Sequence, residues 1–241
     1  MSKSEISFSL FPHGYAQVRT WLMPFLLLVL SARAYAGSLP VIYIDTPGSS
    51  AITSRDKWTK GCRMRIVMPD GTEDFCSSDV DVKGRGHSTF TKPKKPYAIR
   101  LDGRHPLLGM APGKRWALLA NFMDHSLMRN MLALELARRT SLAWTPDCRQ
   151  VDVVVNGQPQ GCYLLCEQIR VARGRVEIDE KRGFLFELDS YDDGSPRFHT
   201  AHRRLPVNIK SPDPPTSDMM EKARRMFDEI EQKLYSPHPD M

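Results

Sequence analysis

The feature that most narrows what this chain can fold into is its succession of short alternating or β-branched runs, near 41–44, 63–68, 79–82, 97–101, 116–119, 151–155, 162–167, 184–188 and 207–210. Most are bounded by glycine, proline, asparagine or aspartate, the pattern of strands that turn one face to a core. Asn156-Gly157, between two of them, is a strong hairpin signal. One helix is clear in the middle of the chain. Asp124 can cap it, and Leu127, Met131 and Leu134 with Leu132 and Leu136 make it apolar over most of its circumference, which predicts burial. The expected class is therefore α+β, a mainly antiparallel sheet with packed helices, with no internal repeat.

Ser211-Pro212-Asp213-Pro214-Pro215 reads as a linker, so that 214–241 holds the linker's end and one amphipathic helix. Asp218 with Glu221 is arranged like a capping box, and Met220, Ala223, Phe227, Ile230 and Leu234 recur at helical spacing. Such a stripe must dock on the domain, on a partner or on a further segment. Left uncovered over 218–234, it would drive self-association.

Residues 1–36 have the layout of a secretory signal peptide: basic Lys3 and Arg19, the apolar core Leu22–Leu30, and Ala34-Tyr35-Ala36 before a cleavage point at Gly37. That core is shorter than the ~20 residues of a bilayer span, and no later stretch reaches that length. The mature domain is expected to be secreted, periplasmic or at the cell surface, with no membrane span.

The formal charge of +6 is mild for 241 residues. Nucleic-acid binding needs a concentrated basic stripe, whereas Lys83–Lys95, Arg138-Arg139 and Arg170–Arg175 read as solvated faces. No nucleic-acid partner is expected. Cys62, Cys76, Cys148, Cys162 and Cys166 suit disulfide formation in an exported chain, with one left over. Cys62 and Cys76 flank a hairpin with Asp70-Gly71 in its loop and are the favoured pair. A two-residue turn there would set Cys62 opposite Asp79, so the bridge needs a bulge or another register. No His/Cys spacing points to structural zinc.

The densest chemistry lies between Lys83 and Asn130. Lys83-Gly84-Arg85-Gly86-His87-Ser88-Thr89 surrounds cations with flexible backbone and hydroxyls, which suits an anion, yet it matches neither the Gly-x-Gly-x-x-Gly nor the Walker pattern. On spacing alone a plain basic hairpin turn is the simpler reading. It is followed by Pro93-Lys94-Lys95-Pro96-Tyr97, Leu107-Leu108-Gly109-Met110, Trp116-Ala117-Leu118-Leu119-Ala120-Asn121 and Asp124 with Arg129-Asn130.

In this order the blocks resemble the CotH-type protein kinases, the spore-coat protein H family of atypical kinases. The likeness continues through Val151–Gly157, Gly161–Ile169, Gly183–Asp189 and Ile209–Asp213, and covers about 79–213. The resemblance implies an atypical kinase-like domain over 37–213, using ATP and Mg²⁺ to phosphorylate Ser or Thr of a protein substrate. It implies Lys83, Arg85, Gly86 and Ser88 near the phosphates, Glu167 or Glu187 pairing with a phosphate-binding cation, and Lys210 in the last matching block. The family's strand Lys is Arg100 here, a departure that matters because Arg and Lys bind phosphate differently. The family's Asn after the second glycine is His87.

Asp189, in the acidic turn Glu187–Asp193, is the candidate metal ligand, although a solvated turn is the simpler reading. Asp124, Arg129 and Asn130 read better as helix-fixing residues than as a catalytic trio. Family kinases carry their catalytic Asn-x-Asp and metal-binding segments beyond the stretch aligned with Lys210, and no Trp follows Trp144 here. The expectation is a nucleotide-binding portion without the part that does the chemistry. A non-catalytic surface binding module is the alternative, and a carbohydrate-active enzyme has little support.

Overall fold

The computed structural model describes residues 39–192 and 194–235; the expected signal peptide lies outside them. The strands are β1 (Val41–Asp45), β2 (Thr59–Val67), β3 (Glu73–Gly84), β4 (Tyr97–His105), β5 (Gly113–Leu119), β6 (Cys148–Val155), β7 (Gln158–Glu167), β8 (Leu185–Leu188), β9 (Arg197–His199) and β10 (Pro206–Ser211). Helix α1 (Arg129–Arg138) precedes β6, and α2 (Ser217–Leu234) follows β10.

Seven strands close into a barrel in the order β1-β2-β3-β4-β5-β7-β6. Closure depends on β1, which pairs antiparallel with β2 and parallel with β6, Val41 lying opposite Asp152 and Ile44 opposite Val155. Period-two alternation sends Ile42, Ile44, Met64, Ile66, Val82, Ile99, Trp116, Leu118, Val151 and Leu165 inward, where side chains fill the lumen as they do in small barrels. Bulges in β2–β3, β4–β5 and β6–β7 bend the strands enough to close the sheet on itself. The Asn156-Gly157 turn joins β6 to β7 with both residues at positive φ, 50° and 75°, as a primed hairpin turn requires.

The expected α+β domain with packed helices is thus corrected to a mostly β protein. The described residues form a closed mixed barrel, a separate three-stranded sheet in the order β8-β10-β9, and two α-helices. Alternation in a sequence says which face of a strand is buried but not which strand it adjoins, so closure through β1 and β6 was not readable. Nor is α1 buried: only Met131 and Leu134 rest on the outer-barrel patch of Cys148, Leu164 and Cys166, while Leu132 and Leu136 are both 56% exposed. Asp124 does fix its start, its Oδ2 accepting the Arg129 N–H at 2.8 Å.

Helix α2 docks on the second sheet. Met220, Ala223 and Phe227 pack on Phe186, Phe198, Val207 and Ile209, with the Phe186 and Phe227 rings edge to face at 4.9 Å. Thr216, rather than Asp218, caps it by accepting the Met219 N–H at 3.3 Å. Buried Glu231 accepts from Thr200 Oγ1 at 2.7 Å and from the His202 and Arg203 N–H groups at 3.1 and 3.2 Å. The stripe is covered over its first half, while Ile230 and Leu234 stay exposed. No helix among the described residues is long and apolar enough to cross a membrane.

The favoured Cys62–Cys76 bridge is absent. Cys62 lies opposite Val80 and faces the lumen, whereas Cys76 lies opposite Arg65 and is exposed, and all five thiols are free.

Candidate nucleotide-binding face

Residues directly opposite on antiparallel strands share a face. The registers set Lys83 opposite Ala98, Ala98 opposite Ala117, Ala117 opposite Cys166, and Cys166 opposite Cys148. One row on the outer barrel surface therefore runs from a cation across four small buried side chains. Two residues along, Asp81, Arg100 and Arg115 form a second row. On the first row's other flank, the Arg85 N–H donates to the Pro96 carbonyl at 3.1 Å, and the Arg85 guanidinium lies within electrostatic reach of the Cys166 thiol.

Arg85 is the unusual group on this face. It is half-buried, burial pushes its pKa below the ordinary value, and no acceptor or carboxylate meets its guanidinium among the described residues. A desolvated cation with no partner is costly unless an anion supplies the missing charge. Gly86 follows at φ +78°, where a Cβ would sit 2.1 Å from Thr89 Oγ1, so a side chain there is excluded. Its carbonyl accepts from Arg55 Nη1 at 3.1 Å. Ser88 then opens a short 3-10 turn with its side chain exposed.

Lys83, Arg85, Gly86, Ser88 and Arg100 thus share one region, but Arg100 is already neutralised. Its Nε donates to Asp81 Oδ2 at 2.9 Å, and its guanidinium lies 4.6 Å from the Trp58 ring, which Lys83 also approaches at 5.1 Å. Glu167 is elsewhere. It sits with Arg175 inside the barrel end where β4 finishes and β5 starts, each side chain 3% exposed, and also accepts the Asp147 N–H at 3.0 Å. Burial raises its carboxyl above the usual range and lowers Arg175. Glu187 and Lys210 pair at 3.4 Å on the second sheet, where Lys210 also meets Ser195 Oγ at 3.0 Å. Asp189 accepts the Tyr191 N–H at 2.9 Å, and the Tyr191 ring rests 4.8 Å from His87, which brings this acidic turn against the glycine loop.

Residues 82–236 match the family described as CotH kinase protein. The chain belongs to the CotH kinase family. A search of curated proteins found no match. Family membership implies ATP and Mg²⁺. The face fits the first better than the second: Lys83, Arg85 and the Gly86 turn suit a triphosphate, whereas among the described residues no three His, Cys, Asp or Glu side chains converge as metal ligands. The Asp189 carboxylate is engaged in its own turn, so no step is assigned to a metal here.

Sequence reading missed Trp58, Asp81 and Arg115 on this CotH-family face. Arg115 and Asp81 left a signal, since alternation places Arg115 on the same side of β5 as Ala117 and Asp81 on the same side of β3 as Lys83.

The far end of the first row, beneath Met131 and Leu134 of α1, carries a titratable pair. The Cys166 thiol, chiefly, and the Arg138 guanidinium lower Cys148 to about 7, while its thiol neighbour and burial push Cys166 up. A depressed folded pKa stabilises the fold fully above the unfolded value of 9.0 and loses that contribution as pH falls through about 7. Cys166 acts in the opposite sense only above the unfolded value. Urea unfolding is therefore expected to show stability rising between pH 7 and 9, with a flatter profile in Cys148→Ser. Identical profiles would show that Cys148 stays a thiol throughout.

Proposed function

We propose that this CotH-family chain is a nucleotide-binding, kinase-like module that holds a triphosphate on the outer face of its barrel, and that by itself it transfers no phosphate. The observation that carries this reading is Arg85, a desolvated guanidinium with no hydrogen-bond or ion-pair partner among the described residues, beside the positive-φ turn at Gly86. Lys83 and Arg85 would hold the phosphates, Gly86 would let the backbone approach them, and Ser88 would offer a hydroxyl. A bound nucleotide would supply the phosphoryl group that the family's transfer to Ser or Thr requires. Transfer also needs metal ligands and an Asp that orients the acceptor hydroxyl, and among the described residues no three His, Cys, Asp or Glu side chains gather to hold a metal.

The alternative reading is a non-catalytic surface module. The exposed Met226, Ile230, Leu234 and Tyr235 favour it, since they give α2 an apolar outer edge for a protein partner or a second copy.

Calorimetric titration with Mg-ATP beside a labelled-phosphate transfer assay tests the proposal. Weak binding is expected that falls with salt and is lost in Arg85→Ala, with no transfer to a generic protein acceptor. ATP affinity indifferent to Arg85→Ala would remove the triphosphate site. Robust transfer abolished by Asp189→Ala would show that a metal site forms from the acidic turn.

A further inference from the structure

Toward the end of the barrel opposite the glycine loop lies a concavity that borders the nucleotide face, sharing Arg100 and Arg115 with its second row. It is a cleft of about 450 Å³ lined by Arg100, Arg104, Lys114, Arg115, Arg170 and Arg175, and no carboxylate lines it. Asp81 neutralises Arg100 and Glu167 neutralises Arg175. The other four have no ion pair among the described residues. Arg104 donates to the Pro112 and Arg173 carbonyls at 2.9 and 2.5 Å, and Lys114 to the Asp102 carbonyl at 3.0 Å, so neutral acceptors fix both cations in place without cancelling their charge. Arg115 and Arg170 meet no hydrogen-bond acceptor among the described residues, although the Arg115 guanidinium lies 5.5 Å from the Trp58 ring.

Four uncompensated positive charges in one cleft repel one another, and an anion bound among them relieves that repulsion. The strain registers on Arg115, whose pKa is pushed down by burial, then by Arg170 and Arg100. The Arg115 and Arg170 guanidinium forks, with no hydrogen-bond acceptor among the described residues, match the planar, bidentate recognition of phosphate oxygens. Carbonyls that pre-set the neighbouring cations lower the cost of ordering the site on binding. The volume exceeds that of a bare phosphate and leaves room for whatever carries it.

We propose that this cleft binds a dianionic phosphate group, carried by a free oligophosphate or by a phosphorylated side chain of a protein partner, separately from Arg85. The cleft abuts the nucleotide face at Arg100 and Arg115, and the remaining cations separate the two sites. Arg85 and Lys83 stand where β3 finishes and β4 starts, whereas Arg104 and Lys114 stand where β4 finishes and β5 starts.

The test is calorimetry on the full chain with inorganic pyrophosphate, with a phosphoserine peptide, and with the same peptide unphosphorylated. Binding at one site is expected for pyrophosphate, the phosphopeptide or both, and the tighter of the two identifies the carrier. Affinity should fall at least about tenfold in Arg115→Gln/Arg170→Gln, which removes two charge-assisted partners. It should fall less in Arg170→Gln alone, a substitution at an exposed residue that keeps the fold testable, and stay within about twofold in Arg85→Ala. Three results would overturn the proposal: no binding of either phosphate probe, equal binding of the unphosphorylated peptide, or an affinity that Arg115→Gln/Arg170→Gln leaves unchanged. One-for-one competition between ATP and pyrophosphate, with both lost in Arg85→Ala, would also overturn it by merging the cleft with the nucleotide face, while leaving the nucleotide reading standing.

Discussion

Arg175→Met is expected to lower the unfolding free energy by about 3–5 kcal/mol, the usual cost of leaving one member of a buried ion pair without its partner. Arg175 and Glu167 are each 3% exposed, and the guanidinium also donates to the Ala111 carbonyl at 3.2 Å and lies 5.0 Å from the Trp116 ring. Gly113 exists to admit it, since a Cβ there would meet Arg175 Nη2 at 2.2 Å. Removing the cation leaves a carboxylate that burial already disfavours and that pairs with no other cation among the described residues. At roughly 2–4 °C per kcal/mol for a domain of this size, the melting temperature should drop by about 6–20 °C. Arg175→Met/Glu167→Gln should recover much of the loss, because the second change removes the stranded charge rather than adding a contact. Calorimetric unfolding of the two variants checks this, and a loss under about 1 kcal/mol in the single variant would mean that water reaches Glu167.

The same pair shows where sequence reading stopped. The resemblance pairs Glu167 with a phosphate-binding cation, but its partner comes from the 168–175 turn, and nothing in local spacing says that this turn folds back under Trp116. Strands such as β4, β6 and β7 were legible because each has one face in the lumen and one outside, and that contrast imposes period two. Closure was not legible: β1 finds β6 across most of the barrel's length of chain, and the bulges that permit it interrupt alternation. The three residues of β9 are too few to carry a period. Helix α1 misled through composition, since Leu132 and Leu136 predict burial that its perch outside the barrel does not provide. The glycine loop was legible, because Gly86 needs its positive φ wherever it folds. The basic cleft was not. Arg170–Arg175 reads as a solvated run until the sheet sets it beside Arg100 and Arg115.

Gly84→Val is expected to weaken triphosphate binding at least about tenfold, or 1.4 kcal/mol, although it removes no charge. Gly84 ends β3, and a Cβ there would lie 2.1 Å from Phe90 Cε2, so the ring packs directly on the glycine backbone. Lys95 holds Phe90, with Nζ donating to the Phe90 carbonyl at 2.8 Å and lying 5.2 Å from the ring. Between Gly84 and Phe90 run Arg85, Gly86 and Ser88. A valine side chain must expel the ring, at an overpacking cost of about 1–3 kcal/mol, and the displaced ring takes the phosphate-facing loop with it. Stability and binding should therefore fall together, whereas Arg85→Ala should lose binding with little change in stability. Hydrogen exchange over 85–92 should accelerate in Gly84→Val while the lumen strands stay protected. Gly84→Ala supplies a milder step should the larger side chain prevent folding. Wild-type ATP affinity in a folded variant whose loop exchanges fast would show that triphosphate binding does not use this loop, and would move the nucleotide site away from Arg85.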